Sequence, residues 1–501
     1  MNAAFLIAGL VSGGLWLSST AAISSELRVA IPSPPFGRGD PFQAPGPPAM
    51  YTSPAIFDAL TWIDGKGGLH PALATSWSVS EDGRTWTFKL RDGVTFSNGR
   101  PLDAAAVADV VRVLTINPPV SALNAIEFEK VAGVRALDTL TLESVSRGPA
   151  PMLPRAASIL FVVEPDLWRR LGPQGFSSQP VGTGPFKVVT WATEAVRMQA
   201  HRESWRAPKV EALTVWFQQD ATARLQGLLS GGLDIAMAVG LEDRATIEAE
   251  GGTVHTAILP AVVGLMLNAT QKGSPFSDVR VRQAVNYAVD KQKLIDAFYG
   301  GVVAPVGQPG ASVALGHDPD VVAYPYDPAR ARALLAEAGY AGGFSFAMDA
   351  VVGSSGADSA IYQQIASDLA AVGVKLETRS ISNARFGQSF RGGGWEAQAF
   401  SFFFGAEPAF DALRPLKYYR CSWPATTFCD PTVEPLFAEA DSAPTLDGRA
   451  QVARKIMAHY HDQASALYLY EAPRFHGTAK RVRGFRIDHS LIHYEDIEIA
   501  E

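Results

Sequence analysis

The sequence predicts an α/β protein, and three patterns carry that prediction. Strand and helix signals alternate along the chain, a stiff glycine–proline turn feeds a strand at 186–191, and the helix pattern from 278 to 298 repeats apolar residues at three- and four-residue spacing. Layers of this kind need a large core. A chain of 501 residues has room for two or three domains, since the buried fraction of surface rises to about 75% near 300 residues.

The first strand is read at 26–31, followed by a Pro/Gly-rich passage at 32–48 that can form neither helix nor interior strand and must wrap a surface or line a groove. A hairpin comes next. Trp77 and Val79 alternate with polar residues, Glu81-Asp82-Gly83 turns the chain, and Trp86, Phe88 and Leu90 alternate on the way back. Asp103 then opens a helix that runs to Val113. In the turn 182–185, Gly182 and Gly184 are read as supplying backbone angles that a Cβ forbids, and Pro185 fixes the next φ. A strand at 213–217, a helix at 221–229 and a short strand at 234–238 follow.

Ser277 or Asp278 caps a helix whose apolar face carries Val281, Ala284, Val285, Ala288, Val289, Ile295 and Phe298, while Arg280, Arg282, Lys291 and Lys293 take the other face and Gly300-Gly301 ends it. Asp327-Pro328 starts a helix that ends at Gly339, before a strand at 344–348. Asp358 caps a helix with Ile361, Ile365 and Leu369 on one face, terminated by Gly373 and followed by a strand at 374–378. A last helix from Asp447 to Tyr460 precedes a strand at 466–470. No internal repeat or low-complexity tract is present.

Composition narrows the function classes. The 47% hydrophobic and 10% aromatic content is that of an ordinary globular protein, and 43 basic against 50 acidic side chains give a net charge of −7 without any basic block. Nucleic acid is excluded as a partner, because nothing supplies the positive field that holds a phosphate backbone. Residues 3–17 are apolar or small apart from Ser12, and Ser19, Thr20, Ala21 and Ala22 suit a signal peptidase, so a secretory leader cleaved near Ala22 or Ile23 is expected. No Lys or Arg precedes the run, a departure from the usual leader. A single-pass anchor is the alternative, but the run is shorter than the roughly 20 apolar residues a span needs. No cysteine lies near the cleavage region, so a lipoprotein anchor is not expected and the protein should be free in the periplasm.

The cysteines are Cys421 and Cys429, in an aromatic, proline-containing loop. In an oxidising compartment they are expected to form a disulfide that staples the loop; a metal reading lacks nearby partners. The spacings CxxC and HExxH, the G-x-S-x-G elbow, the P-loop and the dinucleotide fingerprint are absent. Gly392-Gly393-Gly394 reads as a hairpin turn rather than a phosphate cradle. His459 and His461 point in different directions at a helix end, and His489 with His493 makes no convincing ligand pair, so no metal site, catalytic residue or cofactor is expected.

Several of these segments, in order, resemble the peptide/opine/nickel family of extracellular solute-binding proteins (family 5), the capture subunits of ABC importers. They are VGTGPFKVVTW at 181–191, PFSDVRVRQAVNYAVDKQKLIDAFYGG at 275–301, the hairpin region 73–107, SGGLDI at 230–235, the run ending LMLN at 265–268, and RVRGF at 481–485. The resemblance implies a bilobal α/β periplasmic-binding-protein architecture (type II, cluster C) with a small extra domain inserted in the first lobe. Its layout would be a signal peptide at 1–22, lobe I at 23–55, 180–262 and 476–501, the inserted subdomain at 56–179, and lobe II at 263–475. It further implies a carrier that closes two lobes over a small solute, cleaves nothing, and delivers its cargo to an ABC permease in the inner membrane. A monomer is expected. The competing class is a secreted enzyme or sensory ectodomain on the same fold.

The stretch WEAQAFSFFFGAEPAFD at 395–411 bears on the ligand. Peptide-binding relatives carry an amine-holding aspartate three residues before the acidic-Pro pair; anchored on Glu407-Pro408, Phe404 stands in that place. Glu407 or Asp411 either substitutes for it or is a turn or capping acid. The Gly405-Ala406 pair resembles the nickel branch, whose members take up metal as an organic chelate, and VVGSSGA at 351–357 offers hydroxyls and amides but no arginine for a peptide carboxylate. Phe402 and Phe404 share one face of a strand and Phe403 takes the other. With Tyr418, Tyr419 and Trp423 they form either core or an aromatic wall for an apolar or sugar-like solute. Met50 and Tyr51 follow the Pro-rich wrap where relatives place groove residues. The candidate ligand-binding set is therefore Met50, Tyr51, Trp395, Phe402, Phe404, Glu407, Asp411 and Tyr419, for a peptide-like, opine-like or sugar-like solute or a metal chelate.

Overall fold

One ten-stranded sheet joins the two lobes of the molecule. The structure is a computed structural model that describes residues 25–43, 46–116, 126–351 and 358–500. The leader and its cleavage site, and most of the hydroxyl-rich stretch at 351–357, lie outside the described residues.

Across the sheet the strands run Val374–Ser380, Phe344–Ala350, Ala399–Gly405, Thr253–Leu267, Ala466–Thr478, Ile235–Val239, Glu26–Ile31, Ala212–Phe217, Ala195–Ala200 and Phe186–Trp191. Glu26–Ile31 is parallel to both of its neighbours, as is Phe344–Ala350. The long antiparallel strands Thr253–Leu267 and Ala466–Thr478 serve both lobes. Their register shifts between Ile258 and Val262, where Leu259, Ala261 and Ala472 form a small cluster of their own. A separate four-stranded antiparallel sheet contains the expected hairpin, with Trp77 opposite Phe88 and Val79 opposite Trp86. Asp103 caps the helix packed beside it, its Oδ1 accepting from the Ala106 amide at 2.7 Å.

The region expected as one helix from 278 to 298 is two. Asp278 caps Val279–Ala288, Val289 is extended, and Asp290 caps Lys291–Tyr299 by accepting from the Lys293 amide at 3.0 Å; Gly300 ends it at φ 58°. Apolar spacing runs unbroken through Val289, so periodicity misses a break made by a second capping aspartate. Two side chains expected on the polar face are buried as well. Arg282 donates to the Phe276 carbonyl at 2.7 Å, and Lys291 donates to the Asn286 and Tyr324 carbonyls at 3.2 and 3.3 Å. With no carboxylate beside it, burial pushes the Lys291 ammonium down to about 7.

Gly182 and Gly184 are glycine for a reason other than the expected one: neither has a positive φ. A Cβ on Gly182 would stand 2.3 Å from the Ile56 carbonyl oxygen, and one on Gly184 would stand 2.5 Å from the Ile56 carbonyl carbon. The turn packs backbone to backbone against the end of helix Pro47–Ile56, and the Gly184 amide donates to the Ile56 carbonyl at 2.9 Å. Cys421 and Cys429 are bonded to each other.

Candidate functional site

The locked end of helix Pro47–Ile56 is the floor of a cleft of about 290 Å³. Asp58 follows the helix and is buried. Its Oδ2 accepts from Thr183 Oγ1 of the glycine turn at 2.7 Å and from Trp205 Nε1 at 2.9 Å, while Oδ1 pairs with Arg206. Arg206 also reaches Glu495 Oε2 at 2.6 Å and the Phe57 carbonyl at 3.2 Å. Burial works against the guanidinium charge, yet Asp58 and Glu495 outweigh it and the Arg206 pKa rises. Glu495 is likewise pushed up by burial, but Arg206 and His493 hold it down at about 2. His493 closes the chain of charges: Nε2 lies 2.8 Å from Asp488 Oδ2 and Nδ1 lies 3.4 Å from Glu495 Oε1. Burial disfavours its charged form, but the two carboxylates prevail and its pKa is raised.

The walls are apolar and aromatic. Phe57, Trp62, Phe161 and Ile159 come from one side, and Leu491 and Ile492 from the C-terminal loop. The Trp62 ring is held in place by stacking on His70, centroid to centroid 4.5 Å, with Arg486 5.5 Å from its centroid. Glu407, Pro408 and Phe410 complete the lining from the loop that follows strand Ala399–Gly405. That loop is tied to the rest of the cleft: Arg155 Nε donates to the Ala409 carbonyl at 2.7 Å, and Arg414 pairs with half-buried Glu127 at 2.8 Å. His489 lies between Ile258 on a crossing strand and Asp64, its ring nitrogens 2.6 and 3.1 Å from their carbonyl oxygens.

Glu407 differs from the other carboxylates lining the cleft, for among the described residues it takes part in no hydrogen bond or ion pair. Solvent reaches the residue, yet protein surrounds the carboxyl closely enough that burial raises its pKa against the pull of His489, Arg414 and Arg474. Ser490 Oγ, at 2% exposure on the same wall, also has no partner.

Of the eight residues expected from sequence, Met50 and Glu407 line this cleft. Tyr51 packs just behind it: its carbonyl accepts from Tyr494 Oη at 2.7 Å, its ring meets His476 edge-on, and burial raises its phenol to about 12. The other five lie in or beside the hydrophobic cluster around strand Ala399–Gly405. Phe404 is fully buried against Tyr419 and Tyr468, Phe402 packs between Phe390 and Phe404, and Tyr419 Oη donates to the Ser465 carbonyl at 3.4 Å. Trp395 stacks on Phe400 with centroids 4.0 Å apart and donates to the Ala425 carbonyl at 3.0 Å. Asp411 caps the following turn through the Leu413 amide at 3.0 Å and pairs with Arg449 at 2.7 Å. The phenylalanine that faces outward is Phe403, 40% exposed with Arg474 over its ring. A second space of about 20 Å³ lies there, lined by Tyr299, Asp358, Tyr362, Phe403, Tyr470 and Arg474, no larger than one water needs.

Asp58, Arg206, Ser490 and Glu495 escaped the sequence reading because they come from three segments far apart in the chain. The density of His, Asp and Glu at 488–496 was the available signal. Among the described residues one group, His493, Glu495 and Asp496, converges closely enough to hold a metal. Its donors are already engaged, Glu495 by Arg206 and Asp496 by Arg486 at 3.2 Å. No described helix is long and apolar enough to cross a membrane.

Comparison with known proteins agrees with this architecture. The family model for bacterial extracellular solute-binding proteins, family 5 Middle, matches residues 68–420. The chain is similar to the glutathione-binding protein GsiB of Escherichia coli O1:K1, 28% identical over 475 residues that cover 91% of this chain and 86% of that one. Among solved structures it is similar to the ABC transporter substrate-binding protein CtaP of Listeria monocytogenes, with a TM-score of 0.84, 20% identity and coverage of 95% and 100% of the two chains. It is also similar to the periplasmic binding protein DppA of Helicobacter pylori in complex with the peptide STSA, with a TM-score of 0.78, 20% identity and coverage of 95% and 99%.

Proposed function

This chain belongs to the bacterial extracellular solute-binding proteins of family 5, and from that premise we propose which solute it carries and how. Members of the family bind small solutes for ABC importers, and this chain is a substrate-binding component of such an importer rather than an enzyme. The proposed cargo is peptide-like and small, a reading supported by the similarity to a glutathione-binding protein and to a peptide-bound relative. The proposed moving parts are lobe I, residues 23–55, 180–262 and 476–501, carrying an inserted subdomain at 56–179, and lobe II, residues 263–475, hinged at the two long strands. The mature protein works in the periplasm as a monomer and hands its cargo to an inner-membrane permease.

The observation that carries this reading is the cleft itself. It has a preorganised ion network as floor, aromatic walls, and a lid supplied by residues 407–410 from the opposite lobe. A ligand that touches both sides favours the closed state by its differential affinity for it. The test is small-angle scattering with and without glutathione and short peptides, beside native mass spectrometry of the protein as isolated from the periplasm. A retained solute, or a radius of gyration that falls on addition of one, is the expected result. Identical scattering across peptides and other nutrients, with nothing retained, would refute solute capture.

A further inference from the structure

Side chains from the stretch 56–179 reach directly onto residues 407–441. Arg155, in helix Leu153–Ala156, is buried, and its charge rests on carbonyl oxygens of two separate segments: Nε donates to Ala409 at 2.7 Å and Nη1 to Gly67 at 3.0 Å, with the Phe410 ring centroid 6.0 Å away. Ser158 Oγ donates to the neighbouring Pro408 carbonyl at 3.5 Å. Glu127 and Arg414 pair at 2.8 Å with little of either side chain exposed, so water and salt screen their attraction less than that of a surface pair. Lys130 donates to the Asp441 carbonyl near the end of helix Glu434–Ser442, whose last turn carries no basic residue of its own. A cation placed there satisfies a carbonyl that the helix leaves unbonded and complements the helix dipole. Backbones meet as well: a Cβ on Gly67 would stand 2.4 Å from the Val313 carbonyl oxygen.

Protein alone makes these contacts, and the two-lobe reading places their partners on opposite sides of the opening. We propose that they form a clasp by which the inserted subdomain holds lobe II against lobe I and shifts the balance toward the closed form before any solute enters. The inference rests on the proposed two-lobe closure and adds the residues that set its resting balance. Opening exchanges the ties for hydration of the same guanidinium, ammonium and carboxylate groups, so each tie is worth a factor rather than a lock. Loss of one charge-assisted bond should lower the closed-to-open ratio by about tenfold. A solute then has to supply only the remaining bias.

The experiment compares the full mature chain, dialysed free of retained solute, as wild type, Glu127→Gln, Arg414→Gln, the double variant and Lys130→Met. The balance is read by small-angle scattering and by hydrogen exchange of the amides at 407–415. Wild type should be the most compact and the best protected, and each single variant should have a larger radius of gyration and weaker protection. The double variant should be no more open than either of its parents, because both remove one shared contact. Lys130→Met, at a half-buried position, decides if a variant of the pair fails to fold. Equal scattering and exchange in wild type and every folded variant, or effects of Glu127→Gln and Arg414→Gln that simply add, overturns the clasp. Glutathione and short peptides are titrated alongside. If a solute compacts the protein while the unliganded variants match wild type, capture stands and the clasp falls; if the variants open but no solute compacts any of them, the clasp stands and the capture reading falls.

Discussion

Replacing Glu495 by glutamine removes one charge from the cleft floor and leaves the rest of the network in place. Arg206 holds Glu495 at 2.6 Å, His493 approaches it at 3.4 Å, and the carboxyl is lowered from 4.5 to about 2. A carboxyl lowered that far contributes about 3 kcal/mol at neutral pH, at about 1.4 kcal/mol per decade. The sign follows from which state holds the proton. The folded value lies below the unfolded one, so this contribution is complete above 4.5 and disappears as pH falls from there to about 2. Urea unfolding of wild type and Glu495→Gln at pH 7 should therefore differ by up to about 3 kcal/mol, and the difference should shrink by half or more near pH 3. His493 moves with it, because one of the two acids that keep its pKa raised is neutralised, so its titration should shift down in the variant. A gap that is the same at pH 7 and pH 3, or absent at pH 7, would show that Arg206 and Glu495 do not act as a buried pair.

Three further outcomes follow from the packing. Trp395→Ala should lower stability by about 3 kcal/mol, because the ring stacks on Phe400 and closes an aromatic cluster; melting curves beside titration of the cognate solute should show stability lost and affinity kept. Lys291 is held at about 7 by burial, so its folded value lies below its unfolded one and wild-type stability should rise as pH climbs from 7 toward 10. Lys291→Met should lack that rise when chemical denaturation is followed across the range. The Cys421–Cys429 bond closes a loop of eight positions, for which loop-closure entropy gives about 2–3 kcal/mol. Its removal by the double serine variant should lower the unfolding midpoint and expose the 421–429 loop to proteolysis.

How far the sequence could be read depended on the range of the interactions involved. Helix starts marked by a capping acid were legible: Asp103 and Asp327 each bond an amide three residues on, and Asp278 bonds the Arg280 amide. The one mistaken helix, across Val289, also turned on a cap, one that lay within an unbroken apolar pattern. Glycine was legible as a marker but not in its cause, since what Gly182 and Gly184 avoid is the Ile56 carbonyl, some 130 positions earlier in the chain. The strand Ala399–Gly405 shows the same limit in another form. Alternation establishes that Phe402 and Phe404 share a face, but which face is core depends on the layers laid over each side. Helix Leu446–Asp462 and the loop around Tyr419 cover the 402/404 side, whereas Phe403 is left to Arg474.

The cleft is harder still to read, because its floor joins residues 58, 206 and 495, with Arg206 and Glu495 separated by 289 positions. No periodicity reports such a meeting. What the chain does carry locally is composition: an acid in an apolar context, at 407, and a run of His, Asp and Glu at 488–496. The structure separates these two signals by a physical criterion. The C-terminal charges neutralise one another and build a rigid base, whereas the acid at 407 meets no partner and is carried on the loop that closes from the other side. Charges satisfied within the fold hold the cleft in shape, and an acid left without a partner keeps its hydrogen-bonding capacity, so a dense run of charged residues in a sequence is as much a structural signal as a functional one.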